Sequence, residues 1–183
     1  MVVLLVILAF IVLIVLGAIS IYNRLVRLDN LKNEAWSGID VQLKRRFDLI
    51  PNLVETVKGY ATHEQEVFER VTEARASITR AYTVRERAES ENMLSGALKS
   101  LFAVAENYPT LKANTNFLQL QEQLSSLEND IQMSRRYYNG AARDYNIAIS
   151  TFPAVLIARN FGYGKADYFE AAEETRTTPQ VSF

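Results

Sequence analysis

Residues 2–21 read VVLLVILAFIVLIVLGAISI, an unbroken apolar run without a charge, and the pattern changes abruptly at Tyr22. A helix rising about 1.5 Å per residue crosses the roughly 30 Å hydrocarbon core of a bilayer in that length. Beyond it, Leu25, Leu28, Ala35, Ile39, Leu43, Phe47, Ile50, Leu53 and Val57 recur at three- and four-residue intervals. That spacing predicts a helix over 22–59 continuous with the span. Pro51 removes one hydrogen bond and is expected to kink or divide it near Leu49. Gly59, with Lys58 in the last turn, is expected to cap it.

Thr62, His63, Glu64 and Gln65 form a capping-box pattern, which predicts a second helix over 62–83 with Val67, Phe68, Val71, Ala74 and Ile78 on its apolar face. A polar break at 83–90 precedes Met93, Leu94, Ala97, Leu98, Leu101, Phe102 and Ala105, which predict a third helix over 90–106. Pro109 ends that helix and opens the next. Over 109–150, Phe117, Leu120, Leu124, Leu127, Ile131, Ser134, Tyr138, Ala141, Tyr145 and Ala148 keep strict 3-4 spacing, the seam of a long coiled-coil-like helix. Phe152 and Pro153 end it, a short helix over 153–160 follows, and 171–183 is a polar, aperiodic stretch predicted to be a disordered tail.

Two long helices with two shorter ones between predict an all-α fold: an N-terminal transmembrane helix (1–21) continuous with an elongated antiparallel bundle over 22–170. Seven glycines and four prolines in 183 residues leave few tight turns for a strand-rich alternative. The run 2–21 is longer than a signal-peptide core and no basic residue precedes it, so it is expected to be retained as an anchor. Arg24, Arg27 and Lys32 follow it closely, which predicts an outside N-terminus and a cytoplasmic domain.

Chemistry is scarce. The absence of cysteine excludes disulfides, thiolate metal sites and a cysteine nucleophile. A net charge of −1 gives no footprint for nucleic acid. His63 is the single histidine, and one nitrogen beside Glu64 and Glu66 is a poor transition-metal site beside the simpler reading of a solvated helix start. Asn139, Asp144 and Asn146 among Tyr137, Tyr138, Tyr145 and Arg143 make a polar-aromatic patch without a paired nucleophile and base, which reads as a hydrogen-bonded interface. No catalytic, metal or cofactor-binding residue is assigned, and no cofactor is expected.

The segments YNRLV from Tyr22, NLKNEAWSGI from Asn30, VQLKRRFDLIPNLVETV from Val41 and GYATHE from Gly59 resemble the LemA family of bacterial membrane-anchored proteins, as do Tyr137-Tyr138-Asn139, Asp144-Tyr145-Asn146 and Phe152-Pro153. The resemblance covers almost the whole chain. It implies an N-terminal transmembrane helix with an out-facing N-terminus and an α-helical cytoplasmic domain at the bacterial inner membrane. It brings no reaction, and so no catalytic residue to carry over.

Contact surfaces are therefore the sites to weigh. Lys44, Arg45 and Arg46 lie more than twenty residues past the span, far beyond the Debye length of about 8 Å, so pairing with Asp40, Asp48 or a neighbouring subunit fits better than lipid binding. Gly38, next but one to Trp36, and Gly140 are read as close-approach positions, within the chain or between subunits. The subunit-contact candidates are Trp36, Gly38, Arg45, Arg46 and Gly140. The membrane-interface candidates are Tyr22, Arg24, Arg27, Phe152, Leu156, Arg159, Phe161 and Tyr163, since aromatic rings and arginines suit the headgroup boundary. For Val155, Leu156 and Phe161, plugging the end of the bundle is an equal alternative.

The resulting expectation is a non-enzymatic, homo-oligomeric scaffold whose partners are the lipid bilayer and further copies of itself, organising or shaping the membrane. The competing expectation is a regulatory or sensory adaptor for a second membrane protein such as a quality-control protease, with the tail as a recruitment segment.

Overall fold

A computed structural model describes residues 1–170. Among them are six α-helices and no strand: α1 (Val2–Lys58), α2 (Gln65–Thr79), α3 (Val84–Glu106), α4 (Pro109–Lys112), α5 (Thr115–Ser150) and α6 (Ala154–Asn160). The predicted disordered tail, 171–183, lies outside the described residues.

The long helix runs without a break from the apolar segment to Lys58, and Pro51 does not divide it. Proline removes one backbone donor, but Ile50 and Leu53 on either side are fully buried and hold the turn in the core.

Three boundaries differ from the sequence reading. The capping box at Thr62 does not form: α2 starts at Gln65, without a side-chain cap. The chain spends those residues in backbone turns, with the Ala61 amide donating to the Val57 carbonyl and the Glu64 amide to the Ala61 carbonyl, which keeps Ala61 buried. A capping box does form at Thr83, inside the stretch read as a break, and α3 therefore begins at Val84. There the Glu86 carboxylate accepts the Tyr82 and Thr83 amides at 2.9 and 3.0 Å while the Thr83 hydroxyl accepts the Glu86 amide. These backbone donors hold the Glu86 carboxyl below the usual carboxylate range. Third, the helix read over 109–150 is two: α4 ends at Lys112, and Asn114 accepts the Phe117 amide to start α5. Leu111 and Phe117 are both buried, and a six-residue separation would place them on different sides of one helix.

The chain divides into two compact units. In the first, Met1–Gly38 with Arg136–Asp167, the core is Leu25, Tyr145, Ala148, Ile149 and Ala158, with Ile21, Leu28, Ala154, Ile157, Tyr163 and Ala166 packed around it. Leu25 shares this core with Tyr145 and Ile149 whereas Trp36 meets Tyr138, so α1 and α5 run antiparallel here. In the second, whose described residues are 39–135 and 168–170, the core includes Ile50, Leu53, Val57, Phe68, Leu94, Leu101, Leu111, Phe117 and Leu124. Every apolar side chain from Val2 to Leu16 that is larger than alanine is exposed, so nothing among the described residues covers the apolar run.

Candidate functional site

Tyr22 is the first residue after the apolar run, and its ring centroid lies 4.8 Å from Phe161 and 6.5 Å from Tyr163. Tyr163 in turn meets Tyr145 at 6.5 Å. Burial raises the Tyr163 and Tyr145 hydroxyl pKa values above the ordinary tyrosine value. The aromatic chain fastens α6 and the residues after it to the point where α1 leaves the span.

The amphipathic pattern of α6 decides which side chains remain outside. Ala158 is buried and Ala154 and Ile157 pack on the core. On the other side Phe152, Leu156 and Phe161 are 76%, 59% and 59% exposed. Arg24, Arg27 and Arg159 are exposed around them and form no ion pair among the described residues. All eight membrane-interface candidates thus belong to one unit, with Tyr163 half-buried as the link to the core. Of the three residues of the plug alternative, Val155 is half-buried, Leu156 is exposed, and Phe161 is exposed but packs its ring on Tyr22; the side chains of α6 that join the core are Ala154, Ile157 and Ala158.

The polar-aromatic patch near the end of α5 is a clamp. Residues 164–167 lie along the helix, held by the Tyr145 hydroxyl donating to the Gly164 carbonyl at 2.9 Å and the Tyr138 hydroxyl to the Asp167 carbonyl at 2.8 Å. The Asn146 amide grips Ala166 twice: its nitrogen donates to the Ala166 carbonyl (2.9 Å) and its oxygen accepts the Ala166 amide (2.8 Å). Burial, with the Asp167 carboxylate adding to it, pushes the Tyr138 hydroxyl pKa up to about 12.

The second unit is organised around Arg46, which is 2% exposed. Its Nη2 donates to Glu91 Oε2 at 2.5 Å, and its Nη1 to Glu128 Oε2 at 2.7 Å and to Ser95 Oγ at 3.0 Å. Glu91 is 1% exposed and also lies 3.0 Å from Arg87 Nε, an ion pair without hydrogen-bond alignment. Between α3 and α5 a groove of about 870 Å³ is lined by Arg46, Lys99, Phe102, Leu124, Gln132 and Arg135 among others. Arg135 lies over the Phe169 ring at 4.8 Å, and burial lowers its pKa.

Two site assignments are corrected. Arg46 is not a subunit contact: its guanidinium is consumed inside the unit by Glu91 and Glu128, neither of which the sequence reading named. Arg45 is exposed and bonds Gln42, and the basic run does pair locally through Lys44 and Asp48. Gly38 and Gly140 are not close-approach positions within the chain, because a Cβ at either would meet nothing within 4 Å. Trp36 is half-buried, edge-on to Tyr138 at 5.4 Å. His63 is exposed, and among the described residues no three His, Cys, Asp or Glu side chains gather as a metal site.

The LemA family profile matches residues 35–183. The chain is 28% identical over 164 residues to Protein LemA of Metamycoplasma hominis, an alignment covering 87% of this chain and 74% of that one. It is 26% identical over 189 aligned positions to Magnetosome protein MamQ 2 of Paramagnetospirillum magneticum, and 23% identical to Magnetosome protein MamQ of Magnetospirillum gryphiswaldense, each covering 87% of this chain and 70% of the relative.

Proposed function

The chain belongs to the LemA family, and from that premise we propose that it is a non-enzymatic, membrane-anchored protein that assembles with copies of itself into a scaffold at the bacterial inner membrane, ordering or shaping the bilayer around its spans. The observation that carries this reading is the form of α1. A helix that is apolar and uncovered over the length of a bilayer continues, without a hinge, into the domain. Spans attached that rigidly transmit any packing between domains directly to the membrane. Relatives named as magnetosome proteins carry the name of a cell structure and not of a reaction, which supports a structural role.

The surface offers a place for the neighbouring copy. Tyr137, Gly140 and Ile147 fall within roughly a quarter-turn on one side of α5 at about 100° per residue. Tyr137 and Ile147 are exposed, and the space above Gly140 is open. With Trp36 and Gly38 on α1, these are the proposed contacts. Val41 on α1 is more than half exposed and adds an apolar position for a neighbour. In orientation, Arg24, Arg27 and Lys32 support a cytoplasmic domain, so protease added to intact spheroplasts should leave the domain uncut.

Sedimentation of the full chain extracted in native lipid discs tests the assembly. A single large homogeneous species containing only this chain supports the scaffold, and monomers alone overturn it. The adaptor reading draws on the groove between α3 and α5, whose mixed lining, apolar at Leu98, Phe102 and Leu124 and polar at Lys99, Gln132 and Arg135, suits a segment of another protein. It predicts that a different chain co-purifies in fixed proportion.

A further inference from the structure

We infer that the outer face of α6 is a second membrane contact, lying in the headgroup and upper acyl region of the same bilayer that α1 crosses, with Phe152, Leu156 and Phe161 as its apolar side and Arg24, Arg27 and Arg159 as its phosphate-facing side. The inference rests on the membrane anchor alone and does not require self-assembly.

Depth is the first argument. The apolar run ends at Ile21, so Tyr22 stands at the hydrocarbon boundary, where tyrosine is enriched. Phe161 packs on Tyr22 at 4.8 Å. A residue in ring contact with the last turn of the span shares its depth to within a few ångströms, and α6 ends at Asn160, directly before Phe161.

Orientation is the second. The core of this unit takes Ala154, Ile157 and Ala158, and what it does not take is a set of two phenylalanines and a leucine, each more than half exposed. Arg159 follows Leu156 by three positions within α6, which aligns the two along one side. Three large apolar side chains left largely in water forgo the stabilisation that burial would give them. Beside a bilayer they are not in water. The three arginines have side chains long enough to reach lipid phosphate while their stems stay against apolar surface. Seven residues are far too few to span, so α6 lies in the interface with its apolar face some 5–10 Å into the headgroup and acyl boundary.

The chain has no cysteine, so single-cysteine variants take one fluorophore each. The full-length protein is reconstituted in phosphatidylcholine and phosphatidylglycerol nanodiscs, with an environment-sensitive label at Leu156→Cys, Phe161→Cys, Ile14→Cys or Arg136→Cys. All four positions are exposed, so labelling displaces no core side chain. Lipids carrying a spin label high on the acyl chain should quench the labels at 156 and 161 several-fold more than the label at 136, which lies fourteen residues, about 21 Å, up α5 from its end at Ser150. Lipids spin-labelled near the chain end should quench 14 more than either. Quenching at 156 and 161 equal to that at 136 overturns the proposal. Pyrene excimers between copies labelled at 156, without lipid quenching, overturn it in favour of a protomer interface. Absence of quenching at 14 removes the anchor itself, and the proposal with it.

Discussion

Where α1 leaves the span, its packing against α5 is apolar and aromatic: the most buried polar groups are the neutral Tyr138 and Tyr145 hydroxyls, and a charged pair there, Lys32 with Asp29, is half-buried, with the Lys32 Nζ 4.4 Å from the centre of the Tyr145 ring. The unit formed by 39–135 instead buries full charges, with Arg46 and Glu91 almost completely out of solvent and Glu128 and Arg87 closing the cluster. The difference teaches what each region can afford to lose. A neutral hydrogen bond is worth about 1 kcal/mol and its loss is local. A buried ion pair adds little net stability while intact, yet breaking it strands a charge in the core. The span-attached unit keeps Arg24, Arg27 and Arg159 at the surface and only half-buries Lys32, so it carries no desolvation penalty on the scale of the Arg46 cluster.

The largest effect should therefore come from Arg46. Arg46→Ala leaves Glu91 buried with only the misaligned Arg87 pair, and about 3–5 kcal/mol of the second unit's stability should be lost. In hydrogen exchange the amides of α3 should lose protection, while those of 142–149 in α5 change little. Arg46→Met with Glu91→Met should recover more than half of the loss. If the single and double variants are equally unstable, the cost lies in packing volume and the charge contrast between the units fails.

Asn146→Ala is the counterpart in the first unit. It removes both bonds to Ala166 and exposes that backbone pair to competition from water, at a cost of about 1–3 kcal/mol. The expected signature is fast exchange of the Ala166 amide with α3 unaffected. Spread of the effect into 39–135 would show that the two units are not separately stabilised.

How much of this was readable in the sequence follows from how far apart the partners are. The long helices were legible because each repeats one instruction every three or four residues: of the predicted seam of α5, all but the half-buried Leu120 and Ser134 are buried. The membrane-proximal cluster was legible because a span fixes its own end. The Arg46 cluster was not, because Glu91 and Glu128 lie 45 and 82 residues away and each sits among other exposed acids on a helix that reads as solvated. The clamp over 164–167 was half legible: Tyr138, Tyr145 and Asn146 signalled an interface, but a strap without periodicity gives no sign of what they hold. The two capping-box patterns illustrate the limit of local signals. Thr62 and Thr83 carry similar motifs, and the burial of Ala61, a tertiary fact, decides against the first.

A smaller effect separates the units by pH. Folding holds the Tyr138 hydroxyl protonated, with a pKa of about 12 against the usual value near 10. Between those values the unfolded chain has lost its proton and the folded chain has not, so the hydroxyl's contribution is complete below pH 10 and declines as pH rises through 12. Stability of the first unit should fall over that window, and Tyr138→Phe should flatten part of the decline. An unchanged slope in Tyr138→Phe would assign the alkaline sensitivity to other groups, with Tyr145 and Tyr163 next in line.

The smallest effect is the one that connects the comparison to assembly. Gly96 on α3 and Gly140 on α5 both sit in helices with open space above them, since a Cβ at either position would meet nothing within 4 Å. Alanine at either position should stabilise its helix by up to about 1 kcal/mol, because glycine in a helix interior costs that much relative to alanine. Within one chain, then, Gly140→Ala and Gly96→Ala are equivalent. Between chains they are not, if Tyr137, Gly140 and Ile147 form the face that meets a neighbouring copy, because a methyl group at a helix contact holds the partner backbone away. Gly140→Ala should raise the thermal midpoint slightly and at the same time shift the sedimenting species towards smaller assemblies, whereas Gly96→Ala should raise the midpoint and leave the assembly intact. Equal behaviour of the two variants in sedimentation would remove this side of α5 from the contact and leave α1, through Trp36, Gly38 and Val41, as the surface along which copies pack.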